Sequence, residues 1–134
     1  MKKNAIILIL IILTISACTT YHVTTESMLR QFANMHADTR QSFVVDSPLV
    51  FPGAVTGNAL NEIKVLDQKG NEHTIQVKYN TVVLIIKKDG TSKAFFFDTL
   101  IIQDNTIYGQ ESHFGAMDRN PIKLDDIVRI EVVP

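Results

Sequence analysis

The segment Val82–Phe97 reads VVLIIKKDGTSKAFFF, two apolar runs joined by a short polar turn. The first run is rich in β-branched residues and the second in aromatic ones, the composition of buried β-strands. Between them, Asp89-Gly90 is the strongest short-range signal for a two-residue type I′ turn, because both central residues of that turn need positive φ. The segment therefore predicts an antiparallel hairpin.

A two-residue turn also determines which side chains share a face of this hairpin. It pairs Leu84 with Phe95 on one face and Val83 with Phe96 on the other. Both faces are then apolar, so we expect this strand pair to be buried on both sides. The preceding hairpin, which turns at residues 67–71, alternates apolar with polar side chains and should keep one face in water.

One short helix is predicted before the strands, from about Thr25 to Ala37. Thr24 or Thr25 can cap its first turn, where Glu26 complements the helix dipole. Apolar side chains recur along one stripe at helical spacing: Met28, Leu29, Phe32 and Met35 or His36. Helices that lie on membranes are usually rich in Lys and Arg, whereas the polar side here offers only Arg30 as a cation. We therefore favour docking on the sheet over a membrane-surface helix.

Strand and turn signals continue from the central hairpin to the end of the chain. Together they predict a mainly β fold of about five to seven antiparallel strands, arranged as a small barrel or a strongly curled sheet. In element order this is similar in outline to SH3-like or Sm-like barrels, although no diagnostic motif accompanies the likeness. Because such barrels have unrelated functions, the likeness implies a fold and no ligand.

The first eighteen residues have the layout of a bacterial secretory signal. Lys2 and Lys3 precede an apolar run, residues 5–17, which as a helix reaches only about 20 Å against a hydrocarbon core of roughly 30 Å. The run ends in Ile15-Ser16-Ala17-Cys18, which resembles the lipobox of bacterial lipoproteins. The resemblance implies cleavage between Ala17 and Cys18.

The resemblance to bacterial lipoproteins also implies a domain layout and a location. Residues 1–17 would be removed, and Cys18, the only cysteine of the chain, would carry acyl chains such as palmitate. Residues 18–24 would form a lipidated tether, and residues 25–134 a single β-rich domain. In enteric-type sorting an aspartate after the cysteine retains a lipoprotein at the inner membrane. Thr19 at that position therefore implies the outer membrane, with the domain facing the periplasm.

Charge argues against nucleic acid as a partner. The chain has 13 basic and 14 acidic residues, and cleavage would remove Lys2 and Lys3, so the mature net charge is 11 − 14 = −3. The only basic cluster is Lys87-Lys88, whereas proteins that bind nucleic acid need a basic stripe to offset phosphate charge. We expect the partner to be the membrane, through the anchor, together with an envelope protein, glycan or lipid.

Catalytic and metal-binding patterns are sparse, and we expect neither a cofactor nor a metal. Ser112 and His113 are chain neighbours that would point to opposite sides of an extended segment, so they cannot act as nucleophile and base together. The four histidines lack zinc-ligand spacing and are expected to be surface polar residues: His22, His36, His73 and His113.

A long connection, residues 108–120, is the strongest candidate for a binding element. Phe114 and Met117 are isolated apolar residues within it, and long loops of compact domains are often functional. Either Phe114 plugs one end of the barrel or the loop binds a partner. The sequence thus predicts an envelope lipoprotein with a non-catalytic binding or structural role. The alternative is a small envelope hydrolase whose site is not evident from sequence.

Overall fold

The computed structural model describes residues 20–33, 40–45, 53–113 and 120–134. Their secondary structure is one helix, α1, and eleven strands. The helix spans Thr25–Ala33. The strands are β1 Tyr21–Val23, β2 Arg40–Val45, β3 Gly53–Asn58, β4 Glu62–Leu66, β5 Glu72–Gln76, β6 Val82–Lys87, β7 Ser92–Phe96, β8 Ile101–Gln103, β9 Thr106–Tyr108, β10 Ile122–Lys123 and β11 Ile127–Val133. Two 3₁₀ turns, Phe97–Thr99 and Leu124–Asp126, follow β7 and β10.

The strands form three antiparallel sheets. The main sheet has six strands in the order β5-β4-β1-β11-β6-β7, a second has the order β10-β9-β8, and β2 pairs with β3. The predicted mainly β fold with one short helix is confirmed. The main sheet does not close into a barrel. Within the described residues its two edges are β5 and β7, and these strands do not pair with each other.

The first strand corrects the predicted tether. Residues 18–24 were expected to be linker, but Tyr21–Val23 lies inside the main sheet, with Tyr21 opposite Val132 of β11 and His22 opposite Leu66 of β4. Val23 is buried. A strand of three residues is too short to produce a period-two pattern, and its hydrogen-bonding partners are remote in sequence. The folded domain therefore includes Tyr21.

The helix begins where the sequence predicted. Thr24 caps it, because its Oγ1 accepts a hydrogen bond from the Ser27 N–H at 3.1 Å. Met28 and Phe32 are buried in the core, which confirms docking on the sheet. Leu29, also assigned to the buried stripe, is exposed instead. The last predicted helical residues, which include Met35, His36 and Ala37, lie outside the described part of the chain.

The helix also continues the hydrogen bonding of the main sheet beside β4, where β1 has ended. Gln31 of α1 binds the main chain of β4: its Nε2 donates to the Lys64 carbonyl at 3.0 Å, and its Oε1 accepts from the Lys64 N–H at 2.8 Å. The N–H and C=O groups of Lys64 need these bonds because β1 ends before it reaches Lys64. The amide therefore substitutes for two hydrogen bonds of a sheet.

The central hairpin exists, but its turn is one residue longer than predicted. The Lys87 N–H donates to the Thr91 carbonyl at 2.9 Å, which leaves three residues in the loop. Gly90 has φ of 82°, while Asp89 stays out of the left-handed region and accepts a 2.9 Å hydrogen bond from the Thr91 N–H. This is the three-residue hairpin loop with a left-handed glycine, the next commonest after the two-residue turns.

The longer loop shifts the register by one residue. Val83 pairs with Phe95, not Phe96, and both side chains are completely buried. The other face carries Leu84 and Phe96, which are half-buried, and Ala94, which is exposed. The prediction that both faces are fully buried is therefore wrong, because a one-residue slip moves every side chain of one strand to the opposite face.

The core lies between the inner face of the main sheet, α1 and the three-stranded sheet. The helix side is closed by Phe32, whose ring centroid is 6.0 Å from that of Phe97. Asn58, at the end of β3, is buried and donates through Nδ2 to the carbonyl oxygens of Phe97 and Leu100. The fully buried side chains include Met28, Ile63, Val65, Val83, Ile85, Phe95, Phe97, Leu100, Ile107, Ile130 and Val132.

Candidate functional site

The residues that the sequence selected as functional lie next to the described part of the chain, not within it. Ala17 and Cys18, the predicted cleavage and lipidation sites, precede Thr20, where the described structure begins. Phe114 and Met117 fall in residues 114–119, also outside it. The structure shows the residues that adjoin these two segments: Thr20 after the first, and His113 and Asn120 on either side of the second.

The predicted lipobox precedes β1, which begins at one end of the strands of the main sheet. Only Thr19 separates Cys18 from Thr20, and β1 begins at the next residue. Tyr21 pairs with Val132, so in the same register Thr20 is level with Val133, near the end of the chain. In the strand order of the sheet, β1 is a central strand between β4 and β11, so the N-terminal segment leads into the middle of the sheet and not to an edge.

The described part of the long connection crosses the outer edge of β7. The Phe96 N–H donates to the Gln110 carbonyl at 3.0 Å, and the Gln110 N–H donates to the Thr99 hydroxyl at 2.9 Å. Gln110 is buried, and its Oε1 lacks a hydrogen-bonding partner within the described residues. This half of the predicted loop is therefore part of the packed structure.

Both described ends of the connection are held by one lysine of β7. The Lys93 ammonium lies 3.2 Å from a Glu111 carboxylate oxygen, and it donates to Asn120 Oδ1 at 3.1 Å. The segment that carries Phe114 and Met117 therefore starts and finishes beside the same edge strand.

A histidine–aspartate pair is the most developed polar cluster near this loop. His113 Nε2 lies 2.9 Å from Asp98 Oδ1 and 3.0 Å from Oδ2, and the two side chains are only 9% and 14% exposed. The imidazole also packs on two rings, with centroids 4.1 Å from Tyr79 and 4.0 Å from Phe96. The sequence assigned His113 to the surface as a polar residue, and that assignment is wrong.

This cluster can fasten a loop. One imidazole nitrogen faces both carboxylate oxygens, while Tyr79 and Phe96 pack against the ring. Because His113 follows the crossing of β7 and Asp98 lies in the 3₁₀ turn after β7, their pairing holds the connection against the outer face of the sheet. Fifteen residues separate the two partners, and no local motif could have indicated the pair.

A second histidine closes the turn between β4 and β5. His73 Nε2 lies 2.9 Å from Asp67 Oδ2, and the same carboxylate accepts hydrogen bonds from the Asn71 side chain and from the Asn71 and Lys69 N–H groups. The hydrogen bond from His73, followed by those from Asn71, holds the pKa of Asp67 well below its usual value. This constellation stabilises a turn.

A groove runs between α1 and β4, with a volume of about 410 Å³. Arg30 and Lys64 line it, but each faces a carboxylate, Glu26 at 3.3 Å and Glu72 at 3.5 Å. Its charges are therefore compensated. Across residues 20–33, 40–45, 53–113 and 120–134, no three His, Cys, Asp or Glu side chains come together as metal ligands.

The fold and these clusters define a mainly β domain with one helix. No protein-family model, curated protein or solved structure matches this chain. Its functional assignment therefore depends on its own residues. Of the helices that the structure describes, none is long and apolar enough to span a bilayer.

Proposed function

We propose that this protein is a bacterial envelope lipoprotein, acylated at Cys18, whose β domain is a non-catalytic interaction module at the outer membrane. The observation that carries the proposal is the sequence Ile15-Ser16-Ala17-Cys18 after a short apolar run, immediately before the folded domain. Two or three acyl chains, at about 0.8 kcal/mol per buried CH₂, would make the attachment effectively permanent.

Two features support an interaction module over an enzyme. His113 faces Asp98 and its ring packs on Tyr79 and Phe96, an arrangement that fastens the connection to β7. The residues on either side of the segment that carries Phe114 and Met117 are both held by Lys93 of β7, which suits a loop that presents apolar side chains. The partner would be an envelope protein, a glycan or a lipid.

The alternative is a small envelope hydrolase, and the Asp98–His113 pair is the observation in its favour. A carboxylate that orients an imidazole is two thirds of a nucleophilic triad, in which the second ring nitrogen activates a hydroxyl group. On this alternative, His113→Gln would abolish function without loss of fold or anchor. On our proposal, the same variant would alter only how firmly the connection is held.

Substitution of the lipobox cysteine tests the anchor. We expect Cys18→Ser to abolish incorporation of labelled palmitate and to leave a precursor larger than the mature protein, because the thiol is the acceptor of the diacylglyceryl group. Thr19→Ser is the matched control and should be labelled and cleaved like wild type. A Cys18→Ser protein that still took up palmitate, or that matured to wild-type size, would contradict the proposal.

In-cell crosslinking of the acylated protein, followed by a pull-down, tests the interaction. A single abundant crosslinked partner is the expected result. Replacement of Phe114 and Met117 by serine should remove that partner with little change in stability if these side chains form the binding surface. A large loss of stability would instead indicate that Phe114 belongs to the core.

A further inference from the structure

We infer that one end of the main sheet rests on the lipid headgroups, so that the domain contacts the bilayer directly. This membrane-facing rim consists of Thr20, Tyr79, Val133 and Pro134. The inference rests on the proposed acylation of Cys18 and adds an orientation to it: a bilayer surface as a binding partner of the fold.

The chain between the anchor at Cys18 and the sheet is short enough to keep the sheet close to the bilayer. Two peptide units join Cys18 to Thr20, so their Cα atoms are at most about 7 Å apart. The headgroup region on each side of a bilayer is roughly 5 to 8 Å thick, from the difference between the total and the hydrocarbon thickness. With the acyl chains of Cys18 in the hydrocarbon, Thr20 stays at the headgroup level.

The register of the strands beside Thr20 places further residues at the same end of the sheet. Thr20 is level with Val133, and Val133 pairs with Val82, the first residue of β6. Two strand spacings, about 10 Å, separate β1 from β6 across β11. The start of β6 and the end of β11 are therefore held at the same end of the sheet as the anchor.

The turn that leads into β6 exposes an aromatic side chain at this end of the sheet. The Thr81 N–H donates to the Lys78 carbonyl at 3.0 Å, and the Lys78 N–H donates to the Thr81 hydroxyl at 2.8 Å, which places Tyr79 at the tip of a tight turn. Tyr79 is 62% exposed, although His113 supports its ring from one side. Tyrosine is enriched at membrane interfaces because its ring is apolar and its hydroxyl is polar.

Charges at this end of the sheet are compatible with phosphate headgroups. Leu66 lies opposite His22, so the turn that starts at Asp67 lies beside Tyr21, and its exposed Lys69 adds a cation. Three nearby carboxylates face partners: Asp67 accepts from Asn71 and faces His73, Asp98 faces His113, and the exposed Glu72 lies 3.5 Å from the Lys64 ammonium.

A pair of tryptophan probes tests this orientation, since the chain has no tryptophan of its own. Val133 and Val128 are both exposed residues of β11, and they lie about 17 Å apart along the strand. Each of Val133→Trp and Val128→Trp would be purified in the acylated form and reconstituted in phosphatidylethanolamine/phosphatidylglycerol vesicles that contain headgroup spin-labelled lipid. We expect the fluorescence of Val133→Trp to be quenched and that of Val128→Trp to be unaffected.

Mass spectrometry of Cys18 in the same preparations distinguishes a failure of the proposed acylation from a failure of the proposed orientation. If Cys18 carries acyl chains and the two probes are quenched equally, or neither is quenched, the orientation is wrong while the proposed function stands. If Cys18 is unmodified, the proposed function fails and the orientation fails with it. Tyr79→Trp provides a second rim probe should Val133→Trp not fold, as judged by its thermal melt.

Discussion

Gly109 is the residue at which the candidate loop meets the core. A Cβ atom at this position would lie 2.6 Å from Phe95 Cγ and 2.9 Å from Leu100 Cδ2, and both neighbours are completely buried. We expect Gly109→Ala to lower the free energy of unfolding by about 1 to 3 kcal/mol, as overpacking of a core does. Urea denaturation measures this loss.

Gly70→Asn is the control for that substitution. Gly70 has positive φ, which asparagine adopts more readily than other side chains, and a Cβ there would meet no atom within 4 Å, so the change should cost about 1 kcal/mol from backbone conformation alone, without overpacking. Equal stabilities of Gly109→Ala and wild type would show that Phe95 and Leu100 can move aside.

Asp67 gives the fold a specific sensitivity to acid. Its pKa is lowered in the folded protein, chiefly by His73 and then by Asn71, from a usual value of 3.8. A group with a depressed folded pKa contributes stability above its unfolded pKa, and that contribution is lost as pH falls. We therefore expect the stability difference between wild type and Asp67→Ala to be constant above about pH 5 and to shrink below about pH 4.

Urea denaturation between neutral pH and acid gives this difference directly. His73→Ala, which removes the leading cause of the shift, should reduce the same pH dependence in part. A difference that stays constant down to the lowest measurable pH would contradict the role assigned to Asp67.

At the scale of elements, the central hairpin shows the effect of a one-residue change in loop length. Phe95 is completely buried opposite Val83, whereas Phe96 is half-buried on the outer face against Tyr79 and His113. Phe95→Ala should therefore cost about 3 to 5 kcal/mol and Phe96→Ala about 1 to 2 kcal/mol.

The two variants are matched, since the same side chain is truncated at adjacent positions of one strand. Chemical denaturation of both decides the register. With the two-residue turn that Asp89-Gly90 suggested, both faces would be buried and the losses would be similar. A similar loss for both variants would therefore contradict the three-residue loop.

At the scale of the whole molecule, the first and last strands are neighbours. Tyr21 of β1 pairs with Val132 of β11, so the start of the domain and the end of the chain meet inside the main sheet. The predicted lipobox is consequently separated from Thr20, the residue before this central strand, by Thr19 alone. The proposed anchor would therefore restrict both the distance and the tilt of the domain relative to the bilayer.

Local signals in the sequence determined the class of fold and several of its elements. Thr24 as the helix cap, Met28 and Phe32 as its buried face, and a hairpin around Gly90 all follow from patterns that span a few residues. The lipobox belongs to the same category, since it is a contiguous motif, and its acylation stays a prediction.

Only the tertiary structure decided how these elements combine. The three-residue β1, the register that buries Phe95, the pairing of His113 with Asp98 and the open sheet each depend on partners distant in sequence. Composition and periodicity describe one strand or turn at a time, and two turn lengths are compatible with the same Asp-Gly pair. The choice between them is made by the free energy of burying one face of the sheet against the rest of the core.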